Sequence, residues 1–207
     1  MRKRNKSSEE TSGPALFAGL TGSPHALLTR LEALPKQTRI YPQEDEASSF
    51  YYLHSGLVGL YHMLENGKVC LIRLFCPGEF FGYRSLFGDS YYHCSSRVQR
   101  TASVTRITPY DPDRFLNHYS ALHAFMVRRL AGDLAEAEKR MASMAYDKSR
   151  QRVMRAISTL YERWPGYDFT WREIAEYAGC ETETAIRHSR ELKMQALLPE
   201  NFTRLRE

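Results

Sequence analysis

The chain has 207 residues, 43% of them hydrophobic and 26% charged, with a formal net charge of +5. That hydrophobic share supports a packed core and excludes a chain disordered throughout, and no apolar run is long enough to span a bilayer. Arg2, Lys3, Arg4 and Lys6 sit at the very start, so the net charge by itself is weak support for a nucleic-acid partner.

The opening MRKRNKSSEETSG is basic, then polar, with no apolar stretch behind it. It does not read as a secretory signal, and residues 1–12 are expected to form a disordered basic arm. The four cysteines, Cys70, Cys76, Cys94 and Cys180, include no C-x-x-C pair. They read as reduced thiols of a cytoplasmic protein.

Residues 13–110 carry short apolar runs separated by turn signals. ALFAGL and PHALLTRLEAL, at the front, look helical. FYYLHSGLVGLYHML and KVCLIRLF flank Glu65-Asn66-Gly67, and Asn-Gly between two such runs is a strong hairpin signal. Strands at this spacing predict an antiparallel roll of the jelly-roll kind. Residues 77–96, PGEFFGYRSLFGDSYYHCSS, read as a tight turn, an apolar run and a short helix around a small cradle.

Residues 111–146 change character. Asp111-Pro112 supplies a cap and a first-turn proline for a long helix. Leu122, Met126, Leu130, Leu134, Ala137, Met141 and Met144 then follow at steps of three and four. They form either the inner face of a helix packed on its own domain or the seam of a parallel dimer. The length of the stripe favours the dimer.

Residues 147–207 hold the clearest chemistry. SRQRVMRAISTLYERW is helical and Pro165-Gly166 ends it. Thr170 and Glu173 form a capping box ahead of IAEYA, Gly179 suits a helix C-terminus, and a second helix runs from about 181 to 195. Two short helices joined by a glycine turn are the helix-turn-helix plan. The second presents Thr182, Glu183, Thr184, Ile186, Arg187, Arg190 and Lys193. Arg187 suits guanine O6 and N7, Glu183 suits cytosine N4, and Ile186, read as exposed among charges, suits thymine methyls. Arg190 and Lys193 suit phosphates. The plainer alternative is that Glu183 and Arg187 form a surface pair one turn apart. LLPENFTRLRE could add a short wing with Thr203, Arg204 and Arg206 near the DNA backbone.

Taken in order, PGEFFG and SLF, the long helix and REIAEYAGCETETAIRHSRELK resemble the Crp/Fnr family of bacterial transcription regulators over roughly residues 15–200. The resemblance implies an α+β fold: an antiparallel β-roll effector domain of the cyclic-nucleotide-binding type over 13–110, a dimerisation helix over 111–146 and a winged helix-turn-helix over 147–207. It also implies double-stranded DNA, a second copy of the chain and RNA polymerase as partners. The family's base-reading Glu and Arg fall on Glu183 and Arg187, with Thr170 beside them as a DNA-contacting position. Thr182 stands where the catabolite-activator branch has Arg.

The cradle departs from that pattern. After Gly82 comes Tyr83 in place of the glutamate that binds the ribose, and the Arg-Ser pair that takes the cyclic phosphate falls on His93-Cys94. The base-contacting Thr-Ser pair falls on Ala137-Glu138. A buried phosphodiester needs a fixed cation or several charge-assisted donors, and His93 is only partly protonated near neutral pH.

Control by cyclic AMP is therefore not expected. Three accounts of the cradle stay open. It is filled by its own Tyr83, Phe87, Tyr91 and Tyr92. It takes another effector among Gly82, Tyr83, Arg84, Ser85, His93, Cys94, Ser95 and Ser96, or it senses redox state or haem. No cofactor or metal is expected, no catalytic residues are assigned, and without an H-x-H ligand pair a cupin-like metal enzyme is the remote alternative.

Overall fold

The computed structural model describes residues 12–198 and Phe202. The basic arm and the wing residues Thr203, Arg204 and Arg206 lie outside the described residues. Two compact units divide the chain: Met1–Gly67 with Ile72–Asp133, and Lys68–Leu71 with Leu134–Glu207. The division falls within the long helix.

The first unit opens with helix α1, Gly13–Ala18, and then strands β1 Ala26–Leu34, β2 Arg39–Tyr41, β3 Phe50–Met63, β4 Val69–Phe75 and β5 Phe80–Phe81. A one-turn helix α2, Tyr83–Leu86, precedes the long strand β6, Ser95–Pro109. The sheet order is β1-β6-β3-β4, with β2 also on β6 and β5 on β3. The Asn66-Gly67 turn joins β3 to β4, and Gly67 takes φ 77, a left-handed angle that costs glycine nothing.

PHALLTRLEAL is a strand, not a helix. Leu28, Leu31 and Leu34 recur at helical spacing, but β6 offers a partner edge that pairs from Ala26↔Pro109 to Leu34↔Ala102. A bulge between Leu31 and Leu34 resets the alternation, so the period-two signal is absent from the sequence. Tertiary pairing has overridden local periodicity.

Helix α3, Pro112–His118, is capped by Asp111, whose Oδ1 accepts from Arg114 N at 3.0 Å. It breaks at Tyr119 and continues as α4, Ser120–Tyr146. Leu122 and Met126 are buried in one core cluster with Phe50, Tyr52, Phe80, Tyr83 and Phe115. They therefore leave the expected dimer seam, because the roll claims that face of the helix.

Leu130, Leu134, Met141 and Met144 remain exposed, Leu134 at 61% and Met141 at 70%, and Ala137 is exposed among them. Val127, also exposed, precedes them at the same alternation of three and four. The solvent-facing stripe therefore runs 127, 130, 134, 137, 141, 144.

The second unit adds α5 Ser149–Arg163, α6 Trp171–Ala178 and α7 Thr182–Met194. Val153, Ile157, Leu160, Ile174, Ala185 and Leu192 are fully or almost fully buried and form its core. This is the α+β arrangement expected. Among the described residues no helix is long and apolar enough to cross a membrane.

Candidate nucleic-acid interface and the effector cradle

The α6–α7 pair is fixed from both ends. Thr170 Oγ1 accepts from Glu173 N at 3.2 Å, and Glu173 Oε2 accepts from Thr170 N at 2.8 Å. Glu173 is buried, and its other oxygen accepts from Tyr167 Oη at 2.8 Å. Its charge is thus shared between two donors instead of standing alone in the core. Thr170 is committed to this cap.

Gly179 ends α6 at φ 65, ψ 49, a conformation that costs a residue with a Cβ. The turn is held by Arg152 of α5, which sequence reasoning did not assign a role here. Its guanidinium donates to Ala178 O at 3.1 Å, Gly179 O at 3.3 Å and Asp147 O at 2.8 Å. Arg140 of α4 donates to Tyr177 O at 3.0 Å and lies over the Tyr177 ring. A second brace is His188, between Ser149 Oγ at 3.0 Å and Glu191 Oε2 at 3.0 Å. No local pattern marks these three, because each reaches at least one partner 26 or more residues away.

On α7, Ala185, Ser189 and Leu192 are buried and face the other helices. Glu183, Arg187, Arg190 and Lys193 are exposed, while Thr182 and Thr184 are half-buried. Ile186 is half-buried, not standing out in solvent, so its packing accounts for it and the thymine-methyl argument loses its premise. Among the described residues no ion pair joins Glu183 to Arg187, so the surface-pair alternative is not what the fold adopts. Glu183, Arg187 and Arg190 occupy one face of a helix whose opposite face is locked down.

The cradle differs. Gly82, at φ 83, is the N-cap of α2. A Cβ there would stand 3.3 Å from Tyr51 Cδ2 and 3.5 Å from Tyr41 Cε1. Tyr41 also lies beside Cys94 and Ser96. The ring that the cassette residues share is therefore Tyr41. It stacks on Tyr92 at 3.9 Å and on Tyr51 at 5.4 Å, and Tyr51 stacks on Phe81 at 5.2 Å. Tyr92 donates to Ser49 O at 2.6 Å, and burial pushes its phenol well above the ordinary range.

Of the residues expected to fill the cradle, Tyr92 and Tyr83 are buried. Tyr83 belongs to the other core cluster, with Phe87 partly buried against it, and Tyr91 is 57% exposed and fills nothing. Tyr41 and Tyr51, from strands distant in sequence, pack instead with Tyr92 and with Phe81 of the adjoining β5.

At the rim, Arg84 Nη1 lies 2.8 Å from His93 Nε2 and Ser85 Oγ lies 3.2 Å from Nδ1. Since Arg84 can only donate, His93 accepts at Nε2 and is neutral. Burial first, and then the Arg84 charge, push its pKa down to about 4.

His93 O accepts from His62 Nδ1 at 2.9 Å, and the buried Cys94 Sγ lies 3.8 Å from the same nitrogen. Ser95 Oγ donates to Tyr61 O at 3.3 Å. Ala137 and Glu138 are exposed on α4 within the second unit. Among the described residues no three of His, Cys, Asp or Glu are grouped to hold a metal ion.

Residues 31–119 match the cyclic nucleotide-binding domain family. An uncharacterised protein of Haemophilus influenzae is 37% identical over 108 residues, covering 52% of this chain and 84% of its own. The chain belongs to the Crp/Fnr family of transcriptional regulators. The cyclic AMP receptor protein of Thermus thermophilus is 26% identical over 178 residues, 82% of this chain and 80% of that one. The c-di-GMP responsive regulator CLP of Xanthomonas campestris shares the fold with a TM-score of 0.72 at 20% identity, over 89% of this chain and 92% of that one. Regulators of the Crp/Fnr family bind DNA and act as dimers, and the chain is such a transcription regulator.

Proposed function

We propose that this Crp/Fnr regulator binds a near-palindromic DNA site as a homodimer, reading it through α7 without cyclic AMP. The observation that carries the reading is the capped, braced α6–α7 pair, which leaves Glu183, Arg187 and Arg190 exposed on one face. In this reading Glu183 and Arg187 contact base edges, and Arg190 and Lys193 contact phosphates. The half-buried Thr182, Thr184 and Ile186 flank them. The exposed stripe from Val127 to Met144 pairs with its copy and sets two α7 helices about one DNA turn apart. Residues 13–110 form the effector-type domain, 111–146 the dimerisation helix and 147–207 the DNA-binding domain of a cytoplasmic regulator that contacts RNA polymerase and is not an enzyme.

The Thermus relative is a cyclic AMP receptor and the Xanthomonas regulator responds to c-di-GMP. Neither ligand carries over. The stacked rings of Tyr41, Tyr51, Phe81 and Tyr92 occupy the space in this reading. The test is selection of bound sequences from random duplex DNA by the purified chain with no nucleotide present, followed by calorimetry with cyclic AMP. Recovery of a two-fold symmetric motif and flat calorimetric traces are expected. Loss of binding without ligand, or saturable uptake at micromolar cyclic AMP, would refute ligand independence.

A further inference from the structure

A regulator whose cradle is already filled needs something other than an effector to hold its long helix against the roll. A chain of ion pairs in the first unit is placed to do this. α4 contributes Arg129 and Asp133, β4 contributes Arg73, and the turn before β5 contributes Glu79. Arg73 Nη1 pairs with Asp133 Oδ1. Arg129 Nη2 donates to Glu79 Oε1 at 2.6 Å and its Nε lies 3.4 Å from Asp133 Oδ1. Glu79 Oε2 accepts from Cys76 N at 2.7 Å, so this one carboxylate holds both the helix and its own turn. The buried Tyr83 lies in the field of all four charges.

We infer that Arg73, Asp133, Arg129 and Glu79 are positioning residues that latch α4 to the cassette turn in the absence of any effector. The signs alternate along the chain of contacts, so the cluster is neutral as a whole and each inner member serves two partners. The side chains are 16% to 32% exposed. That shields them from the salt screening that makes most surface pairs weak. The members come from a helix, a strand and a turn. A shift of α4 by one turn would break the Arg73–Asp133 and Arg129–Glu79 pairs together, while the Arg129–Asp133 pair within α4 moves with the helix, which makes the contact two-state instead of graded. Asp133 is the last residue of the first unit along α4, so the latch closes where the helix passes to the second.

This inference rests on the ligand-independent reading of the cradle. The test uses the full chain with Glu79→Gln, Asp133→Asn and the pair combined. These changes keep shape and remove charge, and circular dichroism and thermal melting verify folding. Affinity is measured without nucleotide for the DNA motif that the unaltered chain selects, and amide exchange is followed along α4.

Each single change is expected to weaken binding about tenfold, and the double change little more than the worse single one, because coupled partners are not additive. Exchange at residues 120–133 should rise, and Asp133→Glu should restore most of the affinity. Affinities within twofold of the unaltered chain, or losses that simply multiply, would overturn the latch. Should the unaltered chain bind no DNA without ligand, the ligand-independent reading falls. The exchange comparison then decides the latch: faster exchange in the variants sustains it and unchanged exchange ends it.

Discussion

The α6–α7 pair and the cradle around Gly82 are both built on strong local backbone signals, yet they end in opposite states. In the first, buried Ile174, Ala185 and Leu192 hold the helices while Glu183, Arg187 and Arg190 stay outside. In the second, the turn and α2 are in place, and Tyr41, Tyr51, Phe81 and Tyr92 pack together in one buried cluster beside Gly82. In the reading proposed above, a scaffold and the chemistry it frames are separable. Glycines and caps dictate where the chain goes, and a few side chains decide whether anything else fits there.

The sharpest way to break this comparison is to empty the cradle. Phe81 is fully buried and stacks on Tyr51 and Phe75, each at 5.2 Å. Phe81→Ala should destabilise the roll by about 3–5 kcal/mol through lost burial and the cavity left behind, read as a lower denaturant midpoint. A rise in that midpoint with a small apolar guest such as benzene would show that the space accepts packing atoms of any origin. A loss below ~1 kcal/mol would mean the rings are not the filler they are taken to be.

The next effect lies on the other region. Arg187→Ala should weaken binding to the selected DNA by about 1–3 kcal/mol and blur one base preference, while leaving the thermal midpoint unchanged. Unaltered sequence preference in a gel-shift titration would remove α7 as the reading helix. Smaller still is Thr170→Ala. Loss of the cap on α6 should cost about 1 kcal/mol of stability and lower DNA affinity only as far as α6 frays. A variant that loses affinity but no stability would place Thr170 on the DNA instead of in the cap.

Legibility differed between the regions for a physical reason. Capping boxes, Asn-Gly turns and a helix-ending glycine are local, and Thr170, Gly67 and Gly179 all behave as their neighbours dictate. Long-range contacts have no such signature. PHALLTRLEAL reads as a helix because its strand partner β6 is some 70 residues away in sequence. Leu122 and Met126 continue the periodicity of the seam, but only the roll's packing shows that they face inward. Glu183 and Arg187 were legible because spacing alone puts them on one helix face. Tyr41, Tyr51 and Arg152 were not, because each acts on a site that other segments of the chain define.

The smallest effect tests the neutral His93. Its folded pKa of about 4 lies below the ordinary 6.5, so between these values the unfolded chain binds the proton that the folded chain refuses. Stability rises with pH wherever the unfolded state holds more protons. The contribution is therefore fully present above about pH 6.5, is lost as pH falls, and levels off near pH 4. His93 is partly solvated, which reduces the size of the loss but not its sign. Urea midpoints taken from pH 7 to pH 4 should slope downward for the unaltered chain, and His93→Gln should remove part of that slope. A slope that the substitution leaves untouched would mean that His93 carries its proton inside the fold. The rim beside Arg84 would then hold a second cation, and only the packed rings would stand against an anionic guest.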